Sequence, residues 1–454
     1  MDYVLRSQRV VLPHGTQPAD VRVTNGRIAS VASPQDLTDG LPILDVATSA
    51  VMPGVVDTHV HVNEPGRTDW EGYLTATQAA AAGGITTLID MPLNSTPVTT
   101  TVAALRAKHQ AAQGRCWVDV GFWGGVVPGN VSELEAMIAV GVRGFKAFLT
   151  HSGIDDFPNV TEADLRVAMP ILAKHGVPLL VHAELEGAAP DLCGMSPRSY
   201  RTYLASRPAS WEVEAVRLMI RLCRETGCRV HIVHLSAADA LPDLVAAKRE
   251  GLPITAETCP HYLVFAAEDI PDGATAFKCA PPIRESENRM RLWEGLRSGA
   301  LDFVACDHSP CTPDLKLPDT GDFIKAWGGV SSLQFSLSIL WTQARARGFS
   351  LNDLVRWLCR RPAEFAGLHD KKGAIAPGLD ADFVIWNPDA VYIVGPDEIR
   401  HRHPVTPYLG RALMGVVERT ILRGETIHVR GVLDFSPPLG LPLLAPTIHQ
   451  ETFA

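Results

Sequence analysis

From residue 53 to residue 372 the chain repeats one unit, a short apolar run of strand length followed by a longer Ala-rich or amphipathic stretch of helical period. Eight runs of strand length stand out, at 54–61, 86–91, 117–123, 144–149, 178–182, 229–234, 253–257 and 302–306. Helical stretches at 75–82, 132–140, 162–175 and 210–226 separate most of them. Eight strand-helix repeats over roughly 320 residues predict an α/β fold, the (β/α)8 TIM barrel, whose functional groups gather at the carboxyl ends of its strands.

The two ends of the chain are written differently. Val21-Arg22-Val23-Thr24 and Arg27-Ile28-Ala29-Ser30-Val31 flank Asn25-Gly26, a strong signal for a tight hairpin. The same style returns after residue 372, in Ala381-Asp382-Phe383-Val384-Ile385-Trp386 and around Thr420-Ile421-Leu422. A small β-sandwich domain is therefore predicted from 1–52 and 373–454 together, with the barrel at 53–372. The proline-rich stretch 436–446 is expected to be irregular.

Composition narrows the partners. Across 454 residues the formal charge is −9, and no basic cluster stands out, which argues against nucleic acid or an anionic membrane and leaves a small-molecule substrate open. No apolar run is long enough to span a bilayer, and Met1-Asp2-Tyr3-Val4-Leu5-Arg6 lacks the pattern of a signal peptide, so a cytoplasmic protein is expected. The nine cysteines form no CxxC pair and read as reduced, mostly packed thiols.

Polar residues then appear where a barrel would place its chemistry. His59 and His61 lie two apart in an apolar strand, so both imidazoles point to one side. Lys146 sits in Phe145-Lys146-Ala147-Phe148, His182 closes Leu179-Leu180-Val181-His182, His234 closes His231-Ile232-Val233-His234, and Asp307 follows Ala305-Cys306. Singly, these read as a snorkelling lysine, satisfied core histidines and a helix-capping carboxylate. Five N/O donors and a lysine on one rim of one barrel instead make a metal centre.

An ammonium among metal ligands would repel the cation. The conflict disappears if Lys146 reacts as the neutral amine with carbon dioxide, because the resulting carbamate, N6-carboxylysine, is anionic and has two oxygens to bridge two ions. The predicted centre holds one divalent ion, zinc being the first choice, on His59, His61 and Asp307 and a second on His182 and His234, with Lys146 between them. A water shared by two ions would have its pKa lowered toward about 7, and Asp307 would carry its proton to a leaving nitrogen. Lys146 and Asp307 are thus the expected catalytic residues of a metal-assisted amide hydrolysis.

The order HxH, Lys, His, His, Asp resembles the dinuclear amidohydrolase superfamily of cyclic amidases, which includes dihydroorotases, hydantoinases with dihydropyrimidinases, and allantoinases. Longer runs resemble the allantoinase branch: His59-Val60-His61-Val62-Asn63-Glu64-Pro65-Gly66-Arg67-Thr68-Asp69-Trp70-Glu71-Gly72, Asp90-Met91-Pro92-Leu93-Asn94, Cys259-Pro260-His261-Tyr262, Lys278-Cys279-Ala280-Pro281-Pro282-Ile283-Arg284, Asp307-His308-Ser309-Pro310-Cys311 and Lys325-Ala326-Trp327-Gly328-Gly329. The resemblance implies opening of the hydantoin ring of allantoin to allantoate, in purine catabolism, by a homotetramer. It also implies substrate contacts from Asn63, Asn94, His151, Ser152, Cys279, Pro281, Ser309 and Gly329.

Chemistry weighs the branches. Dihydroorotase-like enzymes carry an arginine two residues past HxH to pair with a substrate carboxylate, and here that position is Asn63, which favours a neutral ring. Hydantoinase-like enzymes place a tyrosine a few residues after the bridging lysine, and here His151 and Ser152 occupy that stretch, which leaves the oxyanion donor open. A hydantoinase or dihydropyrimidinase type of cyclic amidase is the alternative. A ligand-depleted assembly homologue is disfavoured, since all six ligand positions are filled.

Overall fold

Asn25 and Gly26 both adopt positive φ, 51° and 74°, as a two-residue type I′ turn requires. In the computed structural model, which describes residues 2–37, 40–188, 190–432 and 437–444, β1 (Tyr3–Leu12) pairs antiparallel with β2 (Gly15–Thr24), and this turn leads from β2 into β3 (Arg27–Ala32). Two short strands, β4 (Ile43–Asp45) and β5 (Ala50–Pro53), run parallel along β1.

The chain then enters the barrel through β6 (Val55–Val60), β7 (Ile85–Asp90), β8 (Asp119–Phe122), β9 (Gly124–Gly125), β10 (Phe145–Phe148), β11 (Leu179–His182), β12 (Val230–Ile232), β13 (Ile254–Thr258) and β14 (Phe303–Val304). All their pairings are parallel. The ring closes where the His61 N–H donates to the His308 carbonyl at 2.8 Å, beside a bridge between Val60 and His308. The third predicted strand, 117–123, appears as β8, and the separate short β9 follows it at 124–125. The Trp123 N–H continues the ladder to the Asp90 carbonyl, while its buried indole Nε1 donates to the Thr58 carbonyl at 2.8 Å and so ties β8 to the first barrel strand. The predicted helices appear as Tyr73–Ala82, Val131–Ala139, Glu162–Lys174 and Ala209–Thr226.

Alternation along each strand divides the core. Val56, Ile89, Phe148, Leu180, Val233 and Phe303 share one buried cluster inside the ring. Val55, Leu88, Ala147, Leu179, Val181 and Ile232 belong to another, packed with the surrounding helices. The inward set fixes which way the next polar residue on each strand points.

After the barrel, β15 (Phe383–Ile393), β16 (Ala412–Leu422) and β17 (Glu425–Val429) pair antiparallel, and β15 joins β5 from Phe383 opposite Pro53 to Trp386 opposite Ala50. Both chain ends thus enter one hydrogen-bonded sheet, in the order β17-β16-β15-β5-β1-β2-β3 with β4 on β1. The sheet curls until its ends meet: a Cβ on Gly26 would lie 2.9 Å from the Arg423 carbonyl, and Val21, Val23 and Ile28 share a core with Phe383, Ile385 and Ile421. The sandwich expected from the sequence is one sheet folded over its own core. The expectation of an irregular 436–446 needs correction: Pro442–Leu443 forms β18, parallel to β8, while 436, 445 and 446 lie outside the described residues. Proline opens that strand without an N–H to satisfy, and the Arg143 guanidinium donates to the carbonyls of Leu443 and Leu444.

Candidate active site

In the middle of β6, Asp57 accepts the backbone N–H groups of His59 at 3.0 Å and Cys306 at 3.1 Å, tying the first barrel strand to the last. His59 Nε2 and His61 Nε2 then lie 3.2 and 3.5 Å from Asp307 Oδ1. From β11 and just past β12, His182 Nδ1 and His234 Nε2 face each other at 3.0 Å, and the His234 and His59 rings are 5.3 Å apart. Asp307 and His234 hold positive φ, 45° and 38°, a costly backbone for residues other than glycine and one that recurs at functional sites. Lys146 rises from β10 beneath them, its Nζ 5.0 Å from the centre of the Phe148 ring.

Carboxylates outside the predicted set orient the imidazoles. Glu257, on β13, accepts from His59 Nδ1 at 2.5 Å and from His231 Nε2 at 3.1 Å. Glu184 accepts from His182 Nε2 at 2.6 Å and is gripped by the Arg207 guanidinium. With those ring nitrogens protonated, the lone pairs of His59 Nε2 and His182 Nδ1 are turned toward the middle of the site.

His59 Nε2, His61 Nδ1, Lys146 Nζ and His234 Nδ1 are buried and have no hydrogen-bond partner among the described residues. Buried polar atoms are rarely left so, and four in one place call for a ligand. His59, His61 and Asp307 place donor atoms within 4.8 Å of one another. Burial, only partly offset by Asp307 and Glu257, pushes the Lys146 ammonium down to about 7. Burial alone would raise the Asp307 carboxyl, but His59 and His61 beside it outweigh this and hold it well below the usual carboxylate range. His182 and His234 are lowered chiefly by burial, toward the neutral form that binds metal. The residues present fit a pair of divalent cations.

A cavity of about 580 Å³ opens above this cluster, and His59, His61, Lys146, His182, His234 and Asp307 all line it. Of the predicted substrate contacts, Asn94, His151, Ser152 and Ser309 line it as well. Asn63, Cys279, Pro281 and Gly329 do not. Asn63 is buried with its Nδ2 donating to the Pro310 carbonyl, Cys279 and Pro281 offer their carbonyls to the hydroxyls of Tyr203 and Tyr262, and Gly329 lies so close to Ser309 that a Cβ would meet its carbonyl oxygen at 2.1 Å. These four act behind the wall. Unpredicted members of the lining include Arg207, Trp211, Lys278, Leu315 and Trp327. The legible signal for Glu257 was a carboxylate inside an apolar strand, and for Glu184 a carboxylate two residues past His182.

A model of the amidohydrolase family matches residues 50–427. The chain belongs to the amidohydrolase family. An allantoinase from Streptomyces avermitilis is 50% identical over 445 residues, covering 97% of this chain and 98% of that one, and an allantoinase from Arabidopsis thaliana is 46% identical over 448 residues, covering 94% and 88%. Among solved structures, an L-hydantoinase (dihydropyrimidinase) from Arthrobacter aurescens superposes with a TM-score of 0.91 at 31% identity, covering 98% of this chain and 100% of that one. This amidohydrolase is a hydrolase, and its family implies a binuclear divalent-metal site, for which His59, His61 and Asp307 are a candidate half. No helix among the described residues is long and apolar enough to cross a membrane.

Proposed function

We propose that this amidohydrolase is an allantoinase, opening the hydantoin ring of allantoin at an amide bond to give allantoate. The observation that carries the reading is 50% identity over 98% of an allantoinase's length. The hydantoinase alternative draws on the superposition at 31% identity, a more distant likeness over the same extent. Asn63, standing where an enzyme for an acidic ring needs arginine, fits a neutral substrate.

In this reading His59, His61 and Asp307 would hold one ion, taken to be zinc, and His182 and His234 a second, with Lys146 as N6-carboxylysine completing the donor set. When bound, the pair supplies an acidified water and polarises the scissile carbonyl. The chain's own groups do the rest. Burial keeps the Lys146 amine in reach of its neutral form, the one that adds carbon dioxide. Glu257 and Glu184 fix the tautomers and headings of His59 and His182. Ionised Asp307 takes the proton from the attacking water and returns it to the departing ring nitrogen, so that OH adds to the carbonyl carbon and H to nitrogen. Asn94, His151, Ser152 and Ser309 line the cavity and would face the ring, and the ureido arm would lie among the loops after the seventh and eighth strands, by Ala280 and Trp327. A cytoplasmic homotetramer completes the proposal.

The test is a comparison of kcat/KM for allantoin, hydantoin, dihydrouracil and dihydroorotate with metal-replete enzyme. Allantoin is expected to lead. A clearly higher value for hydantoin or dihydrouracil would replace this reading with the hydantoinase one.

A further inference from the structure

Two ammonium groups are buried at the cavity, Lys278 among its lining residues and Lys316 between the lining residues Leu315 and Leu317, and their hydrogen bonds run to main-chain carbonyls. Lys278 Nζ donates to the carbonyls of Ile324 at 2.9 Å and Ala326 at 2.5 Å. Lys316 Nζ donates to the carbonyls of Trp327 at 2.9 Å, of Gly329, and of Lys278 itself at 3.3 Å. The two side chains are 7% and 6% exposed. Asp322, the acidic group whose field reaches Lys278, commits its Oδ1 to the N–H groups of Ile324 and Lys325. Burial, with Lys316 and Arg207 adding repulsion, pushes Lys278 down to about 7.

Burying two neighbouring cations is expensive, and an apolar pair would have been the less costly way to fill the space. What the arrangement achieves is control of one stretch of backbone. Four carbonyls between 324 and 329 are held by two cations, and the Gly329 N–H donates in return to the Lys278 carbonyl at 2.8 Å. The outer side of the same stretch, Ile324 to Gly328, lines the cavity. Trp327 reaches across to Trp70, with ring centres 4.8 Å apart, and to Gly153, where a Cβ would lie 3.4 Å from its ring. The clamped segment therefore joins the loops that follow the first, fourth and eighth strands over the cavity.

We infer that Lys278 and Lys316 are positioning residues for substrate selection, clamping the 324–329 backbone as the wall against which the ureido-bearing face of the substrate is read. This rests on the allantoinase reading and deepens it. Without the clamp the metal centre remains and the wall loosens.

The test is Lys278→Met and Lys316→Met, with KM and kcat measured for allantoin and for hydantoin, which lacks the ureido arm, alongside metal content and melting temperature. Each lost charge-assisted clamp is expected to raise KM for allantoin about tenfold while kcat moves far less. The allantoin-over-hydantoin ratio of kcat/KM should fall by a similar factor, metal content should stay native, and Lys→Arg at either position should recover part of the loss. An unchanged ratio, with or without a lower melting temperature, overturns the clamp, as does equal loss on both substrates. Should the Met variants fail to fold, Lys278→Gln and Lys316→Gln are read by the same ratio. Wild-type enzyme that fails to turn over allantoin would defeat the functional reading instead, a result visible before any variant is made.

Discussion

Glu257 Oε1 accepts from His59 Nδ1 at 2.5 Å, and both side chains are only 1% exposed. The bond crosses the barrel from β13 to β6 and decides which nitrogen of His59 keeps its lone pair. Glu257→Gln preserves size but not charge, and its amide can no longer accept in full from both His59 and His231. Loss of such an outer partner is expected to lower metal affinity or turnover about 10- to 100-fold with the fold intact. Metal analysis after dialysis, paired with circular dichroism, checks this. Native metal retention and native rate would show that His59 needs no orienting partner.

Lys146→Ala removes the proposed carbamate and should strip metal and abolish turnover, with short-chain carboxylic acids partly restoring both. The motive is an ammonium that is buried, has no hydrogen-bond partner among the described residues and lies amid imidazoles. Full activity in Lys146→Ala is the outcome that would remove Lys146 from the centre.

Asp307→Asn keeps the shape and one oxygen donor but cannot hold a proton at neutral pH. Turnover should fall by about 10²- to 10⁴-fold, the usual contribution of a positioned acid-base group, while KM changes little. Steady-state kinetics on metal-loaded protein decide it. An unchanged kcat with a raised KM would assign Asp307 to binding alone.

Lys372 makes a prediction about stability away from the site. Its Nζ lies 2.8 Å from Asp119, 3.0 Å from Asp380 and 2.6 Å from Asp382, and it is almost wholly buried where the sheet meets β8. Lys372→Met leaves those carboxylates with Arg423, which reaches Asp119, as their remaining cation. Breaking a buried charge cluster in this way is expected to cost about 3–5 kcal/mol. A shift of the urea midpoint with unchanged KM and kcat would agree; an unshifted midpoint would show the cluster to be inert.

The barrel was legible because its strands are short apolar runs separated by helices of the right length, and the start of the terminal sheet because Asn25-Gly26 announces its own turn. The six residues of the proposed centre were legible for a related reason: each is a polar interruption within or just after such a run. Partners that act through space across sequence were not. Glu257 and His59 are 198 residues apart, and Lys278 meets the 324 carbonyl across 46 residues. Neither sequence position carries a local period or turn signal that points to its partner. Asn63, Cys279, Pro281 and Gly329 were expected at the cavity because their motifs surround it, yet their side chains or backbones support the wall from behind. A motif gives the segment; the φ and packing of each residue decide which atom faces the substrate. The small strand at Pro442–Leu443 was missed because a distant arginine, Arg143, rather than its own composition, satisfies the carbonyls of Leu443 and Leu444.

Opening of the hydantoin ring by water, with the ureido arm left whole, is tested by running the reaction on allantoin in heavy-oxygen water and identifying the product by mass spectrometry. A single product is expected, allantoin plus one water, with the heavy oxygen in a new carboxylate and no urea released. Free urea, or no product from metal-replete enzyme, would contradict it.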